Sequence, residues 1–185
     1  MPDLWAELKS AARNPALVCE VGGFSLKASK TNILVGLLNV NISGRYWQPG
    51  AVDEPLAMIL PVLEDPWEDE PDIIDLVAFR LSNPAGWRVR TGYGMALGSW
   101  NITDVRSTVQ IWKVPGQPAS SGLELHRTPL EWLQADCEGA CILHPFWTAH
   151  ATAGIEHLVC QDDAHAHQVK QNFAAVQTPE FHVLA

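Results

Sequence analysis

Short runs of alternating apolar and polar residues fill the first third of the chain, and longer spacings take over toward its end. Successive side chains of a strand point to opposite faces, so alternation predicts a half-buried strand. "LLNVNISG" (37–44) alternates in this way, with Leu38, Val40 and Ile42 on one face. "ALVCEVGGFSLKAS" (16–29) gives two such runs around Gly22-Gly23, a hairpin signal. Ahead of them a helix is predicted over 3–13, with Asp3 as N-cap, Leu4, Leu8 and Ala11 on one face, and Asn14-Pro15 as its stop.

The alternation breaks at 49–72, "PGAVDEPLAMILPVLEDPWEDEPD", which holds five prolines and ends in a crowd of carboxylates. Prolines and charges at this density predict a surface loop or linker. From Ile73 regular spacing returns. "IIDLVAFRL" (73–81) and "WRVRTG" (87–92) read as strands joined by the turn residues "SNPAG", and 103–112 reads as a helix with Val105, Val109 and Trp112 on one face.

The last third carries the strongest local signals. "LELH" (123–126) is a short strand, and "TPLEWLQADC" opens a helix with Thr128 as N-cap, Pro129 at the first position and Glu131 completing a capping box. Gly139 supplies its stop. "ACILH" (140–144) has strand length, a short helix spans 146–152 and ends near Gly154, "IEHLVCQ" (155–161) is a strand, and Asp162 caps a helix carrying Ala166, Val169 and Phe173. Strands and helices in this order predict a βαβαβα unit on a short parallel sheet. The fold class expected is therefore mixed α/β: a β-rich segment with an N-terminal helix (1–48), an acidic proline-rich linker (49–72) and an α/β core (73–185), within one folded unit.

Composition narrows the function. A chain of 185 residues, 47% hydrophobic and 18% charged, is a globular domain with a core of its own. With a net charge of −9 from only five lysines and seven arginines, it is a poor ligand for duplex nucleic acid. The start, "MPDLWAELKSAARN", lacks an apolar signal-peptide core, and the longest apolar runs are too short to cross a bilayer. The expectation is a cytoplasmic protein with reduced cysteines and no membrane partner. Eight tryptophans spread along the chain suit a packed core and an aromatic contact surface.

Residues 137–167 hold three of the four cysteines and five of the seven histidines, which raises the question of a metal site. Strand alternation puts Cys141 and His144 on opposite faces, and helix geometry sets His165 and His167 about 200° apart. What survives is a set at the strand ends, His144, Asp162, Asp163 and His165, in the crevice where α/β proteins bind ligands. Packing of the cysteines and capping by Asp162 account for most of the stretch without a metal. "LVCQDDAHAH" (158–167) also resembles the strand-plus-acidic pattern of Toprim-type nucleic-acid enzymes, which implies a magnesium site. Those enzymes place an Asp-x-Asp pair after the strand, whereas Ala164 stands two residues beyond Asp162.

Arg80, Arg88 and Arg90 form a second candidate. If 73–81 and 87–91 pair as a hairpin, three guanidiniums gather on one face as an anion site. The acidic run Glu64, Asp65, Glu68, Asp69, Glu70, Asp72 and Asp75 is expected to be a solvated loop, and "GYGMALG" (92–98) a turn. No nucleophile motif is present. The leading expectation is a non-enzymatic binding or accessory protein that engages a protein partner, or its own copy, through an aromatic surface. A metal-dependent hydrolase or nuclease is the alternative, and phosphate or nucleotide binding by the arginines a further one. No cofactor is predicted, and a divalent metal is the one the pattern allows.

Overall fold

The computed structural model describes residues 2–12, 33–64, 71–111 and 122–175, with the backbone alone of 107–111. The elements, numbered along these residues, are α1 (Leu4–Ala11), β1 (Gly36–Ser43), β2 (Tyr46–Pro49), β3 (Leu56–Leu63), β4 (Ile73–Arg80), β5 (Asn83–Val89) and β6 (Ala96–Leu97). They continue with α2 (Ser99–Ile111), β7 (Leu123–Leu125), α3 (Pro129–Gln134), β8 (Cys141–Ile142), a 3-10 turn (Pro145–Trp147), α4 (Thr148–Ala151), β9 (Leu158–Cys160) and α5 (Asp163–Ala174). The protein is mixed α/β with a sheet-rich N-terminal part, as expected. The hairpin predicted at 16–29 and the stop at Asn14-Pro15 lie outside the described residues.

The first five strands close into a barrel in the order β1-β2-β5-β4-β3. All neighbours are antiparallel except β2 and β5, which seal the barrel through the parallel pair Tyr46–Val89. The segment read as a linker therefore contains a central strand. β3 pairs with β1 on one side and β4 on the other, so the barrel draws on both sides of the expected boundary. Its prolines are compatible with this. Pro55 precedes the strand, and Pro61 lies past the last β1 pair, Gly36–Ile59. A continuous apolar run, "LAMILPVL", is what a strand buried on both faces requires.

Two cores result from the alternation. Val40, Trp47, Ala57, Ile59, Leu76 and Ala78 fill the barrel, and Leu8 and Ala11 of α1 pack into one end of it. Gly36 permits that approach, since a Cβ there would collide with Ala11. The opposite face of the same strands, Met58, Leu60, Val62, Val77 and Phe79, packs against Trp100, Trp132, Leu133 and Leu143 from the C-terminal half. Three capping signals hold, whereas the helix read over 103–112 begins at Ser99, and α3 ends at Gln134, before the stop read at Gly139. Asp3 caps α1, Thr128 and Glu131 form the capping box of α3, and Asp162 caps α5 through His165 N–H.

The pairing of the C-terminal strands differs from a single parallel sheet. β7 and β9 are parallel, but β8 pairs antiparallel with β6, and Ala140, just before β8, forms an isolated parallel bridge with Leu125 of β7. Strands of two or three residues form few ladder bonds, so packing on the barrel decides their partners. No helix among the described residues is long and apolar enough to cross a membrane.

Candidate functional site

Register determines what faces the barrel interior. Leu38 pairs with Ala57, Ile59 with Ala78, and Ala78 with Arg88, so these residues share the inner face with Val40 and Ile42. α1 occupies one end. At the other, small residues leave a pocket of about 270 Å³ between Val40, Ile42, Ala57 and Ala78, with Arg80, Arg88, Ser82 and Asn83 at its polar margin. Arg88 Nη1 donates to the carbonyls of Gly86 (3.1 Å) and Trp87 (2.7 Å), while its Nε is buried without a hydrogen-bond partner. Arg80 ends β4 and is exposed, two turn residues from Asn83. The turn is thus Leu81-Ser82, and "NPAG" belongs to β5.

Arg90 does not join this pair. It lies past the end of β5, and its guanidinium forms a forked ion pair with Glu7 of α1, at 2.8 and 2.9 Å, over the Trp47 ring. Its charge is spent on holding the helix in the barrel.

Asp75 is the largest departure from the expected solvated acidic run. It is fully buried, and its carboxylate accepts five backbone N–H groups: Leu76, Arg90 and Thr91 on Oδ1, Gly92 and Gly94 on Oδ2, at 2.7–3.1 Å. The glycine segment is therefore clasped by an internal anion, and a Cβ on Gly94 would meet the Asp75 side chain at 2.8 Å. The signal was a carboxylate inside an apolar strand run, a position that demands a local set of donors.

The folded 90–94 segment forms one wall of a second cleft, of about 220 Å³, at the seam between the barrel and the C-terminal half. Arg45 from the β1–β2 turn, Trp87, Leu143, His144 and Pro145 line it with Gly92 and Gly94, and Arg88 borders both this cleft and the barrel pocket. Trp87 Nε1 donates to the Leu143 carbonyl at 3.2 Å. An Arg45 Nη group meets His144 Nε2, where a guanidinium can only donate, and His144 Nδ1 is buried without a hydrogen-bond partner. Burial, and then the charge of Arg45, hold the His144 pKa below its ordinary 6.5.

Of the strand-end metal set, Asp162, Asp163 and His165 lie at the start of α5 and His144 lies in the seam cleft. His144 sits in the seam cleft with Arg45, whereas Asp162 caps α5 and pairs with Arg127, which holds its carboxyl below the usual range. Asp163 is an exposed first-turn residue of α5. His165 is buried beside His126, and its pKa is lowered by burial and then by Arg127. Among the described residues, no three His, Cys, Asp or Glu side chains stand together as a metal-holding group. Burial pushes the Cys141 thiol far up and raises Cys160, which suits packing.

Of the described tryptophans, Trp47, Trp100 and Trp132 are core residues, and Trp147 is 45% exposed. Sequence reasoning missed Arg45, Asp75 and His126. Arg45 and His126 carry no local signal, since only folding gives them neighbours. Comparison of the chain with models of known families, with curated proteins and with solved structures gives no match.

Proposed function

We propose that this chain is a non-enzymatic binding protein whose barrel mouth takes a small organic anion with an apolar body. The observation that carries this reading is the meeting of two arginines, Arg80 and Arg88, in the lining of one pocket, with the Arg88 Nε buried and without a hydrogen-bond partner. Buried polar groups are ordinarily hydrogen-bonded, and a carboxylate is the natural acceptor for a guanidinium fork. The remaining walls, Val40, Ile42, Ala57 and Ala78, offer only apolar contact, which favours a short hydrocarbon body over a polar one. The polar margin holds arginine, serine and asparagine and no general base, which favours binding over turnover.

Calorimetric titration with hexanoate tests it. Saturable binding and a raised melting temperature are expected. Arg80→Met or Arg88→Met should each remove a charge-assisted contact of about 1.5–3 kcal/mol, weakening binding by tenfold or more. Ala78→Leu should abolish binding by filling the pocket. Hexanoate binding that is undiminished in Ala78→Leu, or absent from the wild type, would refute the reading.

A further inference from the structure

From the seam cleft we infer a second binding site, bordering the barrel mouth at Arg88, for a phosphate-bearing aromatic ring of the nucleotide class. Three observations meet there. The first is charge. Arg45 is exposed and its guanidinium touches the accepting nitrogen of His144, with no carboxylate paired to it among the described residues. It is a fixed cation at the edge of a concave site, the requirement for holding a phosphate.

The second is the placement of rings. Tyr46, Tyr93 and Phe146 are 51%, 66% and 63% exposed. Each adjoins a residue of the cleft wall. Tyr46 follows Arg45 and lies against Gly92, Tyr93 stands between Gly92 and Gly94, and Phe146 packs on the His144 ring at 5.5 Å. Trp47, Phe79, Trp100 and Trp132 lie in the core, while among the other described rings Trp147 and Phe173 are 45% and 39% exposed. Tyr46, Tyr93 and Phe146 stand beside the lining of the cleft, and exposed rings next to a charged cleft are stacking platforms of the kind that hold nucleobases.

The third is size and rigidity. A volume of about 220 Å³ is below that of a drug-sized pocket and suits one ring system with its phosphate directed outward to Arg45. Trp87 is fixed by its bond to Leu143, and the 90–94 wall is fixed by Asp75, so the cleft is preformed and binding need not order it. The base is presented either by a free nucleotide or by a single strand. The net charge of −9 disfavours a long polyanion, which makes the free nucleotide the primary expectation.

Titrations of the full chain with adenosine monophosphate, adenosine, inorganic phosphate and fluorescein-labelled dT8 test the inference. The monophosphate should bind saturably, with adenosine and phosphate each weaker by about tenfold because each lacks one half of the recognition. Arg45→Met should weaken the monophosphate by about tenfold and Tyr93→Ala by about fivefold; both residues are exposed, so the fold is retained. Tighter, steeply salt-dependent binding of dT8 that is lost in the same two variants assigns the base to a single strand. Ala78→Leu should leave these affinities unchanged, which separates this site from the barrel mouth. Absence of saturable binding by both the monophosphate and dT8, or binding unaltered in Arg45→Met and Tyr93→Ala, overturns it.

Discussion

Replacing Asp75 by asparagine should destabilise the protein more than any other single isosteric change. The carboxylate is fully buried and accepts three N–H groups on Oδ1 and two on Oδ2. Asparagine can keep its oxygen at the three-donor position, but its NH2 then faces the N–H groups of Gly92 and Gly94. Two hydrogen bonds to a charged acceptor are lost, at about 1.5–3 kcal/mol each, or about 3–6 kcal/mol together. The smaller cost of burying a neutral amide offsets part of this and favours the lower end. Against a total stability of about 5–15 kcal/mol, even about 3 kcal/mol is a large fraction. For a chain of this length about 1 kcal/mol moves the melting temperature by about 2–4 °C, so a fall of about 6–12 °C is expected. Thermal melts followed by circular dichroism, with guanidinium titration alongside, measure it. Asp72→Asn, at an exposed position three residues earlier, is the control and should be neutral. An Asp75→Asn protein melting within about 2 °C of wild type would show that the five-donor clasp does not hold the loop. The same variant should weaken the seam cleft, because Gly92 and Gly94 form its wall.

Other perturbations probe the remaining supports. Glu7→Gln and Arg90→Met, alone and combined, should give a double-mutant coupling of about 1–2 kcal/mol in guanidinium unfolding, since the pair is forked and largely shielded; additivity would mean that it contributes nothing. Gly98→Ala should lower the melting temperature by several degrees, because Gly98 has φ +74° and a Cβ would strike the Gly139 carbonyl. His144 and His165 both have folded pKa values below their ordinary 6.5, so just below that value the unfolded chain binds protons that the fold resists. Stability should therefore fall as pH drops through 6.5 toward the folded values. Melts from pH 8 to 5 should flatten in a His144→Gln/His165→Gln double variant, and parallel profiles would contradict the assignment. Asp162, whose folded pKa lies below its ordinary 3.8, acts in a separate and more acidic window, losing its contribution as pH falls through the folded value.

The legible parts of this protein are those whose partners lie within a few residues. Asp3, the Thr128–Glu131 box and Asp162 each satisfy helix N–H groups three positions away, and the 73–92 hairpin follows from two apolar runs and a short turn. Proline and charge density misled at 49–72, because composition there reports on its ends while the apolar centre, "LAMILPVL", forms the strand that joins β1 to β4. Arg80 and Arg88 come together since the hairpin is local. Arg90 is drawn away by Glu7, 83 residues distant in sequence.

By itself the sequence determined where the helices capped by Asp3, Thr128 and Asp162 begin and which strand faces are apolar, and of the three arginines it set on one hairpin face two share a pocket, since periodicity and capping are properties of a few consecutive residues. Tertiary structure alone decided that five strands close into a barrel and that β8 turns to β6. It alone decided that Asp75 is an internal anion and that Arg45 meets His144 across 99 residues. Those outcomes depend on burial and on contacts between distant segments, and a side chain's role changes with the groups the fold sets beside it: a carboxylate counted as solvated became the buried centre that shapes a binding cleft.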